Sequence, residues 1–242
     1  MARPGNRVPE TDVTAMFDTI APVYDRLNTL MTAGADERWR HLAAEAAELR
    51  SGDAAIDVAC GTGRLAVRLA RAVGPFGRVE AVDLSPAMVA RASADHRGYV
   101  QLTFSEANAL ALPFEDDSFQ AATIAFGLRN LADFEAGFGE LARVVRPGGR
   151  VVCLELSVPP QRGWGRFFRG SFGRLAPLVA GAFGQGRTYR YLPSSLDGFP
   201  DAVSLAATMR AAGLVEVGFR RLALGAVALH VGRAPDLRRP GA

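Results

Sequence analysis

The sequence predicts a doubly wound α/β fold, built on a mostly parallel, seven-stranded sheet. Three observations carry that reading. Ala54 to Ala59 is a short apolar run that ends in the small-residue turn Cys60-Gly61-Thr62-Gly63, and Leu65, Leu69 and Val73 then recur four residues apart. That pattern is a buried strand, a glycine turn and a helix. Gly77 to Val82 forms a second run and delivers Asp83 at its carboxyl end. From there to residue 156 the chain keeps alternating between strand and helix patterns.

Taken in order, residues 1 to 11 are polar and proline-bearing and read as a disordered tail rather than a signal peptide with an apolar core. Met16, Phe17, Ile20, Val23, Leu27, Leu30 and Met31 have helical spacing interrupted by Pro22, which predicts two short helices. A further helix is expected over about 36–50, exposing Arg38 and Arg40 and burying Trp39, Leu42, Ala46 and Leu49. Together, residues 12 to 50 form a helical lid ahead of the sheet. Strands are expected at 54–59, 78–83, 99–105, 119–126 and 150–156, and helices at 63–73, 86–95 and 133–145. Ser85 and Pro86 suit a helix start, as cap and first-turn residue. Gly148-Gly149 after Pro147 is expected to end a helix and turn into the fifth strand. A helix over 201–212 and a hairpin from 213–222 and 226–233 close a single domain spanning 12–233, and 234–242 reads as a second tail.

The ligand crevice of such a sheet lies at the carboxyl ends of its strands. Gly61 and Gly63 let the backbone approach a ligand closely, and Asp83, twenty residues after Gly63, can accept both hydroxyls of a ribose. Gly61 to Ala66 also fits G-x-G-x-x-G/A, a dinucleotide pattern that is weak alone. Two features favour S-adenosylmethionine. Asp57, four residues before Gly61, can hold an ammonium, whereas a pyrophosphate would be repelled there. Asn108, after the third strand, can bond an adenine edge. Thr62 and Ala109 are expected to add backbone contacts. Arg129 and Asn130 reach the same crevice by topology.

In its motifs the chain resembles S-adenosylmethionine-dependent class I methyltransferases, which are Rossmann-like, and more narrowly the ubiquinone/menaquinone biosynthesis C-methyltransferases. The narrower likeness starts with Met16-Phe17-Asp18, Ala21-Pro22-Val23-Tyr24-Asp25, Asn28 and Met31. It continues through Phe126-Gly127-Leu128-Arg129-Asn130 and Arg143-Val144-Val145-Arg146-Pro147-Gly148-Gly149-Arg150. It ends with Thr188-Tyr189-Arg190-Tyr191-Leu192-Pro193 and Ala228-Leu229-His230-Val231-Gly232, so that it covers about 13–233. The resemblance implies methylation of a ring carbon of a reduced polyprenyl quinone precursor, with demethylmenaquinol the leading acceptor. Arg129 would stabilise phenolate charge, Asn130 would orient it, and Tyr24 and Tyr189 would hold or relay the hydroxyl proton. The family usually carries Asp where this chain has Arg64, and Glu where it has Ser194. Those departures leave room for another phenolic or terpenoid acceptor, methylated on oxygen or carbon. A non-catalytic scaffold of a quinone-making assembly is the rival from another class, and a nicotinamide dehydrogenase is the third reading.

Composition prunes further. All 28 basic side chains are Arg, so Schiff-base catalysis and a phosphate-loop lysine are excluded. Three scattered histidines give no metal-ligand spacing, and no run of 18 apolar residues appears. Two cysteines in predicted buried positions suit a reducing, cytosolic setting. His230, alternating with apolar neighbours on a strand, reads as a core residue.

Between Glu155 and Asp197 there is no acid, yet Arg162, Arg166, Arg169, Arg174, Arg187 and Arg190 all lie there. The remaining 22 basic residues face 25 acids. Trp164, Phe167, Phe168, Phe172, Leu175 and Val179 recur at helical steps within this insertion, residues 158 to 200. An acid-free basic and aromatic stripe suits an anionic membrane surface, over residues 162–190, or a substrate cap. No nucleic-acid-binding module accompanies the charge. The expected partner is a lipophilic quinol, with the protein peripheral at the inner face of the cell membrane, and a homodimer is left open.

Overall fold

The computed structural model describes residues 10–21, 23–157, 159 and 199–236. Three helices, α1 (Glu10–Ile20), α2 (Tyr24–Met31) and α3 (Ala35–Ala46), precede the sheet. Then come β1 (Ala54–Val58), α4 (Arg64–Val73), β2 (Arg78–Asp83), α5 (Pro86–Asp95), β3 (Leu102–Glu106), β4 (Phe119–Ala125), α6 (Phe134–Val144), β5 (Val145–Leu156), α7 (Ala202–Ala211), β6 (Val215–Leu222) and β7 (Val227–Arg233). The seven strands lie in the order β3-β2-β1-β4-β5-β7-β6, with β7 antiparallel to both neighbours and the rest parallel. The doubly wound sheet expected from the sequence is therefore present, and its order reverses direction at β1 and β4.

Burial explains the composition of the strands. All five residues of β1 are buried, because helices cover both faces of the sheet. One face packs Ala43, Leu65, Leu69 and Val73 of α3 and α4, and the other packs Phe138, Leu141, Leu205 and Met209 of α6 and α7. Ser85 caps α5 by accepting from the Met88 amide, and Asp133 caps α6 through the Glu135 and Ala136 amides.

Several expectations need correction. Helix α1 begins at Glu10, so residues 10 and 11 are helical rather than part of a tail. Ala234 is buried and exchanges backbone hydrogen bonds with Gly148 and Gly149, so it is fastened to β5 rather than part of a free tail. Arg40 was expected to be exposed but is buried, because Asp36 one turn earlier accepts from it at 2.5 Å and Phe126 lies beneath it at 5.3 Å. Helix α3 stops at Ala46, short of Arg50. Strand β5 starts at Val145, ahead of the Pro-Gly-Gly turn. That turn forms an irregularity inside the strand, between the Val145–Phe119 and Arg150–Ala121 pairs. The basic and aromatic insertion lies outside the described residues apart from Pro159, Phe199 and Pro200, and Tyr189 and Ser194 lie outside them too.

Candidate active site

The crevice opens where β1 and β4 end, and backbone strain marks it. Ala59 and Phe126, the residues that follow those strands, both have left-handed backbones, with φ of 53° and 58°. Such geometry costs free energy for a non-glycine residue and clusters at functional sites. The two turns pack against each other so tightly that a Cβ on Gly127 would stand 2.4 Å from the Ala59 Cβ. Gly63 is equally constrained. Its φ is +81°, and a Cβ there would meet the Phe104 ring at 2.7 Å. His96, stacked on Phe104, donates from Nε2 to the Thr62 carbonyl at 3.0 Å and props the glycine turn from below.

The main cleft lies beside the two turns that follow β1 and β4. Asp83, Asn108, Ala109, Gly61 and Asn130 line one side, and Thr14, Phe17 and Tyr24 from the lid close the other. Asp83 accepts the Gly61 amide on Oδ2 at 2.8 Å and the Ser85 amide on Oδ1 at 2.9 Å. A carboxylate oxygen has two lone pairs, so each keeps a position for a second donor such as a ribose hydroxyl. Burial raises the Asp83 pKa, against the opposing pull of those amides. Asn108 uses its Oδ1 on the Leu110 amide at 2.9 Å, which makes it both a turn residue and a wall of the cleft.

A smaller polar chamber adjoins the cleft and is lined by Asp57, Cys60, Thr62, Arg40 and Arg64, again with Tyr24. Asp57 is 1% exposed, and its Oδ1 accepts from Thr123 Oγ1 at 2.6 Å. Among the described residues its Oδ2 has no hydrogen-bond partner. Burial, only partly offset by Thr123 and Arg40, raises its pKa to about 7. A buried, unpartnered carboxylate oxygen is costly unless a ligand satisfies it, and an α-ammonium would do so. Together with Asp83, Asp57 suits a ligand carrying an amino acid at one end and a ribose at the other. The same burial, with Asp83 and Asp57 nearby, raises the Cys60 thiol pKa, which keeps it protonated.

A third chamber, more apolar, lies on the far side of Tyr24 and Phe126. Trp39, Met31 and Leu156 supply its greasy wall, and Arg129, Arg40 and the Asp36 carboxylate paired with Arg40 supply its charge. Arg129 sits on a 3₁₀ turn, Leu128–Asn130, and donates from Nη1 to the Phe126 carbonyl and to Glu155 Oε1, both at 2.6 Å. The acid that holds it is Glu155 on β5. Asn130 faces the main cleft instead. Tyr24 lines all three chambers. The structure thus brings together Tyr24, Asp57, Gly61, Thr62, Asp83, Asn108, Ala109, Asn130 and Arg129, and Gly63 shapes the turn beneath them.

Sequence reasoning missed Glu155, Thr123 and His96. Glu155 had a visible signal, being the one acid in an otherwise apolar strand, Val151 to Leu156. Thr123 is found only through the register that sets it opposite Asp57.

Comparison with known proteins agrees with this geometry. The model of the ubiE/COQ5 methyltransferase family matches residues 6–234. A protein from Thermus thermophilus named demethylmenaquinone methyltransferase is 46% identical, over 91% of this chain and 100% of its own length. The ubiquinone/menaquinone biosynthesis C-methyltransferase of Geobacter sulfurreducens is 38% identical, over 90% of this chain and 86% of its own. A SAM-dependent methyltransferase structure from Aquifex aeolicus superposes with a TM-score of 0.56 at 17% identity, covering 76% of this chain and 83% of its own. That last likeness concerns the fold alone.

Proposed function

The chain belongs to the ubiE/COQ5 methyltransferase family, and from that premise we propose that it methylates a ring carbon of a reduced polyprenyl quinone precursor, demethylmenaquinol foremost. It is an S-adenosylmethionine-dependent methyltransferase of quinone biosynthesis. The observation that carries the choice of acceptor is the third chamber, where an apolar, aromatic wall meets two buried guanidiniums across Tyr24 from the donor's cleft. A greasy ring that becomes anionic during reaction needs both.

S-adenosylmethionine supplies an electrophilic methyl group carried on a sulfonium. On the donor side, Asp57 holds the ammonium, Asp83 the ribose hydroxyls and Asn108 the base edge, with the Gly61–Gly63 turn pressed close and Thr62 and Ala109 adding backbone contacts. On the acceptor side, Arg129 stabilises the ionised hydroxyl that makes the neighbouring carbon nucleophilic, and Glu155 fixes the direction of that guanidinium. Asn130 borders the donor cleft beside it and Tyr24 stands between the two ligands, where its hydroxyl can take or pass the acceptor's proton. Tyr189 is proposed for the same task on the strength of the motif alone. The ring carbon gains a methyl and loses its hydrogen as a proton, so one acceptor group or a water chain must receive it. Trp39, Phe126 and Leu156 keep bulk water from the reacting carbon.

Among the described residues no helix is long and apolar enough to cross a membrane. A prenylated acceptor nevertheless resides in one, and the acid-free segment with its six arginines supports peripheral docking at an anionic surface. The test of function is incubation with methyl-labelled donor and a panel of demethylated quinols and simple phenols, followed by mass spectrometry. Label on the ring carbon of the quinol supports the proposal, and label on oxygen or on the phenols alone overturns it.

A further inference from the structure

Arg64, the first residue of α4, follows the glycine turn directly, and its side chain leaves the sheet for the lid. Its Nη1 lies 2.8 Å from Asp36 Oδ2 and 4.0 Å from Asp25 Oδ1, and its Nη2 pairs with Glu37. The other oxygen of Glu37 pairs with Arg68, one turn further along α4. Asp36 is buried and also accepts from Thr32 Oγ1 at 3.0 Å. Two residues before Arg64, Thr62 Oγ1 donates to Asp25 Oδ1 at 2.8 Å. At the cleft's other edge Ser85 Oγ donates to Asp18 Oδ1 on α1 at 2.5 Å.

These polar links share a geometry. Apart from the Thr32–Asp36 bond within the lid, each runs from a lid helix to the glycine turn, to the first turns of α4 or to the loop after Asp83. We propose that Arg64 is a positioning residue, the latch that holds the lid closed over the bound cofactor and thereby sets how fast the demethylated product leaves. The inference rests on the donor-site reading above.

Three physical arguments support it. A cation in the first turn of a helix faces the helix's own positive end, so Arg64 is unfavourable there unless outside acids compensate. Asp25, Asp36 and Glu37, all from the lid, supply that compensation. Arg64 is only 20% exposed and Asp36 only 2%, so the pair is screened far less than a surface ion pair. Finally, Asp25 is the chain neighbour of Tyr24, which walls all three chambers. Release of α2 from Arg64 moves Tyr24 and opens the cleft. Opening separates Asp25, Asp36 and Glu37 from Arg64 and Arg68, while Asp36 keeps Arg40 on its own helix, and it is therefore assisted by salt.

The test is stopped-flow displacement of S-adenosylhomocysteine from the full chain across a range of sodium chloride concentrations. For the unaltered protein, release should accelerate with salt. Arg64→Ala should release at least about tenfold faster and lose most of the salt dependence, Arg64→Lys should recover part of both, and Arg64→Asp should be no slower than Arg64→Ala. Equal rates and equal salt dependence in Arg64→Ala and the unaltered protein would overturn the latch. Hydrogen exchange of the ligand-free proteins supplies an independent readout. Faster exchange across 24–46 in Arg64→Ala supports the latch, and unchanged exchange overturns it, whether or not the ligand binds. Failure of the unaltered protein to bind S-adenosylhomocysteine would instead refute the donor-site reading. If Arg64→Ala does not fold, Glu37→Gln carries the same comparison.

Discussion

Arg129 and Glu155 form a buried pair, with Nη1 and Oε1 2.6 Å apart and side chains 5% and 0% exposed. Breaking a buried pair from one side strands the other charge, at a cost of about 3–5 kcal/mol. Glu155→Ala should therefore lower stability by about that amount in chemical denaturation. Arg129→Lys keeps the charge but loses the planar fork. It should slow turnover by roughly 10- to 100-fold while calorimetry finds cofactor affinity little changed. A wild-type rate in Arg129→Lys would show that the planar fork is not needed, and a wild-type rate in Arg129→Ala would remove Arg129 from the chemistry.

Asp83 accepts the Gly61 and Ser85 amides as well as facing the cleft. Asp83→Ala should weaken S-adenosylmethionine binding by roughly 10- to 100-fold in calorimetry, the loss expected for deleting one polar partner that serves several donors. Unchanged affinity would refute the ribose assignment.

Asp57 makes binding and stability depend on pH with opposite signs. Its folded-state pKa, about 7, stands above the ordinary value of 3.8. The fold therefore holds this proton more tightly than the unfolded chain does. The resulting stability is complete below 3.8 and is lost as pH climbs to about 7. Binding of an ammonium needs the ionised form, so cofactor affinity should rise as pH passes upward through about 7. Below that pH, binding should release a proton, measurable by calorimetry in two buffers of different ionisation enthalpy. Asp57→Asn should abolish the proton release and flatten both profiles.

Gly127→Ala places a Cβ against Ala59, 2.4 Å away. It should cost roughly 1–3 kcal/mol, the usual penalty of overpacking. Ala59→Gly in the same chain should recover much of the loss, because it removes the opposing methyl and relieves a φ of 53°. Thermal unfolding of the two single variants and the double variant measures the coupling.

Replacement of Arg166, Arg169 and Arg174 by Ser removes about 1 kcal/mol of attraction per residue to an anionic surface. Sedimentation with phosphatidylglycerol-rich vesicles should find the triple variant in the supernatant and the unaltered protein in the pellet. If both stay in the supernatant, the membrane proposal falls.

The parts of the site that are local in sequence were legible there. Asp57, Gly61, Gly63 and Asp83 belong to two consecutive strand-and-turn units, where spacing alone fixes which end of the sheet they occupy. The strands over 78–83 and the helix over 86–95 match Arg78–Asp83 and Pro86–Asp95, because cap, proline and apolar runs agree there. Contacts that depend on register or on docking were not legible. The pairing of Thr123 with Asp57 spans 66 residues and that of Arg129 with Glu155 spans 26, and although Glu155 stands out as a lone acid in an apolar strand, nothing local names either partner. Arg40 was misplaced for a related reason. Helical periodicity sets a side chain's direction, but burial depends on what comes to meet it, here Asp36 and the Phe126 ring. The strain at Ala59 and Phe126 leaves no trace in composition, since neither residue type favours a left-handed backbone.

One aromatic ring, that of Tyr24, lines all three chambers at the mouth of the sheet. Compartments with a common partition are not independent binding sites. Any ligand that fixes the ring in one posture changes affinity in the adjoining spaces, and thermodynamic reciprocity makes the effect equal in both directions. On the proposed function, donor and acceptor binding are thereby coupled through one ring, each ligand's affinity reporting whether the other is bound.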